Sequence, residues 1–134
     1  VVLNPDNPFE VIGVLDWEMA TIGDPLMDLG NSLAYWIEAD DEGPFQMLRR
    51  QPTHRPGMLT RKEVVEYYME QSGFKVDNFD FYEIYGLFRL AVIIQQIYYR
   101  FYHGQTKDKR FAAFGHAANY LEKRCQRLIA ESTL

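Results

Sequence analysis

Only one cysteine, Cys125, stands among the 134 residues. No intrachain disulfide can form, a reducing cytoplasm is the expected setting, and Cys125 reads as an inert helix residue. Positive charge is also short: 14 Lys and Arg face 19 Asp and Glu, a formal net charge of −5. That balance argues against nonspecific nucleic-acid or anionic-membrane binding. No long uninterrupted apolar run exists. The best candidate, IYGLFRLAVIIQQIYYRFY, is broken by Arg89, Gln95, Gln96 and Arg100, whereas a membrane span needs about 20 mostly apolar residues. It reads as a buried helix of a soluble protein. The opening VVLNPDNPFE has neither a basic start nor a long apolar segment, so no signal peptide is read there. With no initiator Met, the expectation is a piece of a longer protein.

Familiar catalytic patterns are scarce too. His54, His103 and His116 lie far apart, with no second ligand at helical spacing, which argues against a zinc site. No Gly-x-Ser-x-Gly elbow or Gly-rich phosphate loop occurs. GLFRLAVIIQQIYYRFYHGQ interleaves aromatics with Arg89, Arg100 and His103. A core helix with polar edges explains it better than a base-stacking surface.

What is present is a globular composition, 47% apolar and 15% aromatic, long enough for one domain with a real core. Val1 to Leu3 and Val11 to Leu15 are β-rich runs around the turn-forming NPDNPFE, a small hairpin. Asp24 and Pro25 predict a helix start, with that helix running to about Ile37. Residues 43–57, rich in Pro and Gly, read as an irregular loop. Thr60 to Glu63 has capping-box spacing and Gly73 is a stop. Asp80 to Glu83 repeats that spacing ahead of a long helix ending near Gly104. Thr106 is expected to open a last helix with a stripe of Phe111, Phe114, Ala118, Leu121, Cys125 and Leu128. The fold class expected is mainly α: a short N-terminal β-hairpin followed by about four helices. A lone hairpin is marginal in water, so self-association through exposed apolar surface, with exchange of the N-terminal strands, is a further expectation.

The chemistry concentrates in VIGVLDWEMATIGDPLMDLG. Asp24 is well explained as a helix cap, and Asp28 gains from the helix dipole. Glu18 fits a solvated loop and stays undecided. Asp16 follows Val14 and Leu15 at the mouth of a strand, where a carboxylate needs a cation or hydrogen bonds. A hard oxygen ligand of this kind suits Mg²⁺, which takes one or two carboxylates plus substrate phosphates. The acidic EADDE after the first helix reads as a solvated helix end.

This run resembles the metal-binding segment of the aminoglycoside phosphotransferase family, kinase-like enzymes that include the choline kinases. It is most similar to the branch associated with acyl-CoA dehydrogenases. The pattern is a strand ending Leu-Asp-Trp-Glu, then Ala-x-x-Gly-Asp-Pro and Asp-Leu, over about Val11 to Asn31. The resemblance implies a protein-kinase-like C-terminal lobe spanning residues 1–134 of an α+β parent. It implies Asp16 as the Mg²⁺-holding aspartate against the phosphates of ATP, and Asp28 as the helix aspartate that braces the catalytic loop. It also places the C-terminal helices on the side of a small-molecule hydroxyl acceptor, with Trp36, Tyr98, Tyr99 and Tyr102 as lining residues and an acyl-CoA-like acceptor suggested by the branch.

The departures matter as much. The family's His-x-Asp and following Asn, and its nucleotide-gripping Lys and Gly-rich loop, do not occur in these residues. The chain alone is therefore expected to be inactive, as part of a phosphotransferase; the alternative is a noncatalytic helical interaction module or a degenerate kinase.

Overall fold

The computed structural model describes residues 1–133. Strand β1 (Val2–Leu3) pairs antiparallel with β2 (Val11–Gly13), placing Val2 opposite Gly13 and Leu3 opposite Val11 with an irregularity between. The turn is closed by Asn4, whose side-chain amide donates to Glu10 Oε2 at 2.7 Å. Five helices follow: α1 (Pro25–Leu33), α2 (Gly43–Gln46), α3 (Arg61–Ser72), α4 (Asp80–Tyr102) and α5 (Phe114–Glu131). The chain is thus mainly α with a two-stranded N-terminal sheet, in keeping with a kinase-like C-terminal lobe. Among the described residues no helix is long and apolar enough to cross a membrane.

Several boundaries follow the local chemistry expected. Asp24 Oδ1 accepts the Leu26 amide at 2.9 Å and Pro25 takes the first helical position. Thr60 and Glu63 bond reciprocally, and α3 stops at Gly73, whose φ of 74° is a left-handed conformation that glycine adopts without strain. Others differ. Helix α1 ends at Leu33, short of Ile37, because side chains capture the next carbonyls: Arg61 bonds Trp36 O, Thr53 bonds Ile37 O and Gln46 bonds Glu38 O. The segment 43–57 contains the extra turn α2, pinned by the buried Phe45. No box forms at Asp80. Asn78 Oδ1 accepts the Asp80 amide instead, and the Asp80 carboxylate takes the Ser132 hydroxyl at 2.6 Å. Asp108 rather than Thr106 caps the approach to α5, through a short 3-10 turn at Lys109–Ala113.

The core joins α1, α2, α4 and α5 around Ala34, Ile37, Phe45, Leu87, Leu90, Ile94, Leu121 and Cys125. Helices α1 and α4 cross backbone to backbone. A Cβ on Gly30 would meet the Tyr82 carbonyl oxygen at 2.1 Å, and one on Gly86 would meet the Gly30 oxygen at 2.1 Å. The hairpin has no comparable burial: Val1, Leu3, Phe9, Val11, Ile12, Val14 and Leu15 are all exposed.

Gly30→Ala and Gly86→Ala should each destabilise the chain by about 3 kcal/mol, because backbone cannot rotate away from the added methyl. Once one alanine has forced the helices apart, the second should cost less, so thermal unfolding of the double variant should show less than the sum.

Candidate functional site

Strand β2 leads into Val14, Leu15 and Asp16, and at Asp16 the backbone turns left-handed, with φ 75° and ψ 43°. Among the described residues it is the one non-glycine with positive φ. Asp and Asn tolerate this conformation better than bulkier side chains, yet it is uncommon, and such residues cluster at functional sites. The Asp16 carboxylate is exposed and makes no capping bond to the 3-10 turn Trp17–Met19 that follows. Trp17 folds back, its indole N–H donating to Val14 O at 2.7 Å, while its ring remains 67% exposed. Glu18 is exposed on the same turn. The arrangement presents an unpaired carboxylate at a strand end, braced from behind by a tryptophan.

The segment is then tied down by Asp24. One carboxylate oxygen caps α1 and the other accepts the Tyr82 hydroxyl at 2.8 Å, linking α1 to the start of α4. That bond, then burial and the Asp24 charge, push the Tyr82 pKa up, so the phenol stays a donor. Asp24 is therefore a cap and a cross-brace. Asp28 sits in the first turn of α1 with its side chain exposed, and no hydrogen bond or ion pair joins it to Asp16.

The four aromatic candidates do not form one surface. Trp36 donates its indole N–H to Leu59 O at 2.8 Å, fixing the chain ahead of α3. Tyr98 packs against Gly115, where an added Cβ would lie 2.9 Å from its ring. Tyr99 and Tyr102 are exposed and meet the His103 ring, one tilted and the other edge-on. No hydrogen bond or ring contact joins Trp36 to these tyrosines. They lie 16–20 residues beyond Tyr82 on α4, roughly 24–30 Å at 1.5 Å per residue. A cavity of about 510 Å³ lies nearer Tyr82, between α1, α3 and α4, lined by Leu33, Glu38, Arg61, Lys62, Phe79 and Glu83.

One cluster beside that cavity escaped sequence reasoning. The Asp41 side chain, 4% exposed, takes a bidentate bond from Arg61 at 2.6 and 2.9 Å, a contact from Arg124 at 3.3 Å and the Glu38 amide at 2.7 Å. Arg61 also meets Glu38, and the Arg124 guanidinium lies 4.4 Å from the Phe45 ring centroid. The EADDE run is thus a charge hub and not a solvated helix end. Its partners stand 20 and 83 residues away, and only folding brings them together. Burial pushes the Asp41 carboxyl up, but bonds and charge from Arg61, the Glu38 amide and Arg124 outweigh it and hold its pKa below the ordinary value. Burial pushes the Cys125 thiol up, which keeps it protonated and inert.

Could the acidic segment hold a metal? Among the described residues no group of three or more His, Cys, Asp or Glu is placed to do so alone. The unpaired Asp16 oxygens do fit the one-or-two-carboxylate contribution that Mg²⁺ takes when phosphates supply the rest.

Comparison with known proteins adds to this geometry. Residues 1–63 match the model of the phosphotransferase enzyme family. The chain is 36% identical over 113 residues to acyl-CoA dehydrogenase family member 10 of Mus musculus, covering 81% of the chain and 10% of that protein. It is 30% identical over 141 residues to a probable acyl-CoA dehydrogenase of Arabidopsis thaliana, covering 100% of the chain and 17% of that protein. Against acyl-CoA dehydrogenase family member 11 of Homo sapiens the identity is 29%, covering 81% of the chain and 14% of that protein. The chain therefore spans only a small part of the relatives it matches. No solved structure matches it.

Asp41→Asn should lower stability by about 3 kcal/mol, since the largely buried Arg124 loses its counter-charge and Arg61 keeps only the more distant Glu38. The sign with pH follows from the depressed pKa. The contribution of Asp41 is present above its unfolded value of about 3.9 and is lost as pH falls through the lower folded value. Chemical denaturation at a series of pH values should therefore show the advantage over Asp41→Asn intact at pH 6 and shrinking below about pH 4.

Proposed function

The chain belongs, through residues 1–63, to the phosphotransferase enzyme family, and from that premise we propose that residues 1–134 form the C-terminal helical subdomain of an ATP-dependent small-molecule kinase. The observation that carries the reading is Asp16: an unpaired carboxylate, held left-handed at the end of an apolar strand, inside the matched segment. Asp16 is the residue proposed to hold Mg²⁺, and Mg²⁺ when bound supplies positive charge where phosphoryl transfer spreads negative charge. The bend at Asp16 aims its oxygens off the strand end, and the Trp17–Val14 bond holds that bend. The Asp24–Tyr82 brace fixes the following helix, so Asp28 is positioned to steady a catalytic loop supplied from outside these residues. The exposed hairpin is the surface that the nucleotide lobe would cover.

For the acceptor, we place a small-molecule hydroxyl in the cavity beside Glu38, Arg61 and Glu83, on the Trp36 side. Tyr98, Tyr99 and Tyr102 stand at the opposite end of α4 and are not assigned to it. Phe79 and Leu33 give that cavity an apolar floor, and at its rim Arg61 and Lys62 are balanced by Glu38 and Glu83, so an acyl-CoA-like acceptor rests on the names of the relatives alone. The setting proposed is cytoplasmic. Since the residues 1–134 contain no His-x-Asp pair, the chain alone is proposed to be inactive.

In a longer enzyme containing this segment, Asp16→Asn should lower ATP-dependent turnover by about 10²–10³-fold or more while leaving the melting temperature in place, because the shape stays and the charge goes. Asp28→Asn should lower rate and stability together. Full activity in the Asp16→Asn enzyme would remove Asp16 from the mechanism. The 134-residue chain should show no ATP turnover with or without Mg²⁺, and measured turnover would overturn its proposed dependence on a separate loop.

A further inference from the structure

The chain is acidic, yet its charge is unevenly spread. Residues 43–62 hold Arg49, Arg50, Arg55, Arg61 and Lys62 and not one Asp or Glu. Two of these cations are engaged elsewhere, Arg61 with Asp41 and Glu38, and Lys62 with Glu66. The other three are exposed. Among the described residues no ion pair joins Arg49, Arg50 or Arg55 to a carboxylate. Arg49 donates to the Gln46 side-chain oxygen at 3.0 Å and Arg50 to the Arg49 carbonyl at 3.2 Å. Those acceptors are neutral, so the positive charge stays uncompensated.

His54 stands beside these arginines. Its ring is half-buried, and the Nδ1 atom is sealed from solvent with no hydrogen-bond partner. Buried polar atoms are ordinarily paired, and an exception calls for a cause. Burial, then the charges of Arg49 and Arg55, push the His54 pKa below its ordinary value, and only the Gln51 backbone acts the other way. Both guanidinium groups therefore lie close enough to the ring to repel its proton. The loop that carries them is pinned. Thr53, 5% exposed, donates its hydroxyl to Ile37 O at 2.8 Å, and the Arg55 amide closes a turn on Pro52 O at 3.0 Å. Like charges are thus gathered on a fixed loop with nothing to offset them.

We propose that loop 49–55 binds a compact phosphate dianion, gripped by the Arg49 and Arg55 guanidinium groups beside His54. A guanidinium fork matches phosphate oxygens with paired N–H donors, and a phosphate monoester carries close to two negative charges at neutral pH. A pre-formed loop loses little freedom on binding. Charge also selects a small ligand over a polymer. The net charge of −5 repels a long polyanion from the chain as a whole, whereas a single phosphate responds to the cations within a Debye length. Once seated, the anion offsets the two charges that repel the His54 proton, and the ring becomes easier to protonate. The proposal does not rest on the reading of Asp16, and its test needs no turnover.

The test is proton NMR of the 134-residue chain, following the ring resonances of His54, His103 and His116 through a pH titration. Sodium chloride and sodium phosphate are compared at equal ionic strength. In chloride, His54 should titrate below the ordinary histidine value of about 6.5. In phosphate its midpoint should rise by about one pH unit, while His103 and His116 stay in place. Arg49→Gln and Arg55→Gln, both at exposed positions, should each weaken phosphate binding by about tenfold or more, with circular dichroism showing the fold intact. An unmoved His54, or an equal shift of all three histidines, would overturn the proposal. So would undiminished phosphate binding in the folded Arg55→Gln variant. A duplex oligonucleotide that shifts His54 at a lower total phosphate concentration than inorganic phosphate requires would overturn the choice of a compact ligand.

Discussion

Helices α1 and α4 touch through bare backbone, and the placement of the acidic segment depends on that contact. With hydrogens in place of Cβ atoms at Gly30 and Gly86, the carbonyl of one helix lies against the Cα of the other. No pair of larger residues permits that approach. It brings the start of α1 under Tyr82, whose hydroxyl then reaches the Asp24 carboxylate. The Asp24 brace in turn fixes the end of the acidic segment, and Asp16 at its beginning is fixed by β2 and the Trp17 bond. Two glycines therefore set the frame in which Asp24 ties α1 to α4.

A second constraint acts from the other side of α1. Between α1 and α2 the chain gives up helical hydrogen bonds, and the freed carbonyls of Trp36, Ile37 and Glu38 are taken by Arg61, Thr53 and Gln46. Asp41 then gathers Arg61 from α3 and Arg124 from α5. Buried ion pairs of this kind contribute little net stability compared with an apolar filling, but breaking one is costly. Their effect here is specificity: α3 buries no residue of its own fully, so the Arg61 fork and the Trp36–Leu59 bond are what dock its first turn. The same Arg61 lines the cavity proposed for the acceptor, so its place there is set by the structural pair.

The molecule thus divides into a packed helical body and an uncovered N-terminal segment. The body has a continuous core from Ala34 to Cys125. The hairpin leaves its apolar residues in solvent and bonds mainly to itself. The proposed phosphotransferase role would account for the difference, because a site that received a nucleotide and a second lobe could not be filled by its own helices. The outer face of α4, with Phe88 and Tyr99 in solvent, is a different kind of exposure, regular in spacing.

The sequence by itself determined what local chemistry can decide. Asp24 with Pro25, Thr60 with Glu63 and the glycines at 73 and 104 marked helix ends, because caps and left-handed stops act within four residues. The spacing from Asp16 to Asp28 was legible for the same reason, as was the α5 stripe through Ala118, Leu121 and Cys125. Tertiary structure decided the rest. The end of α1, the turn at Phe45 and the capture of Asp80 by Ser132 all depend on side chains that arrive from far along the chain. So do the Asp41 hub and the separation of Trp36 from the α4 tyrosines. A charge cluster reads as solvated until a distant arginine is shown to reach it, and a glycine inside a helix reads as a weakness until a second helix is found lying against it.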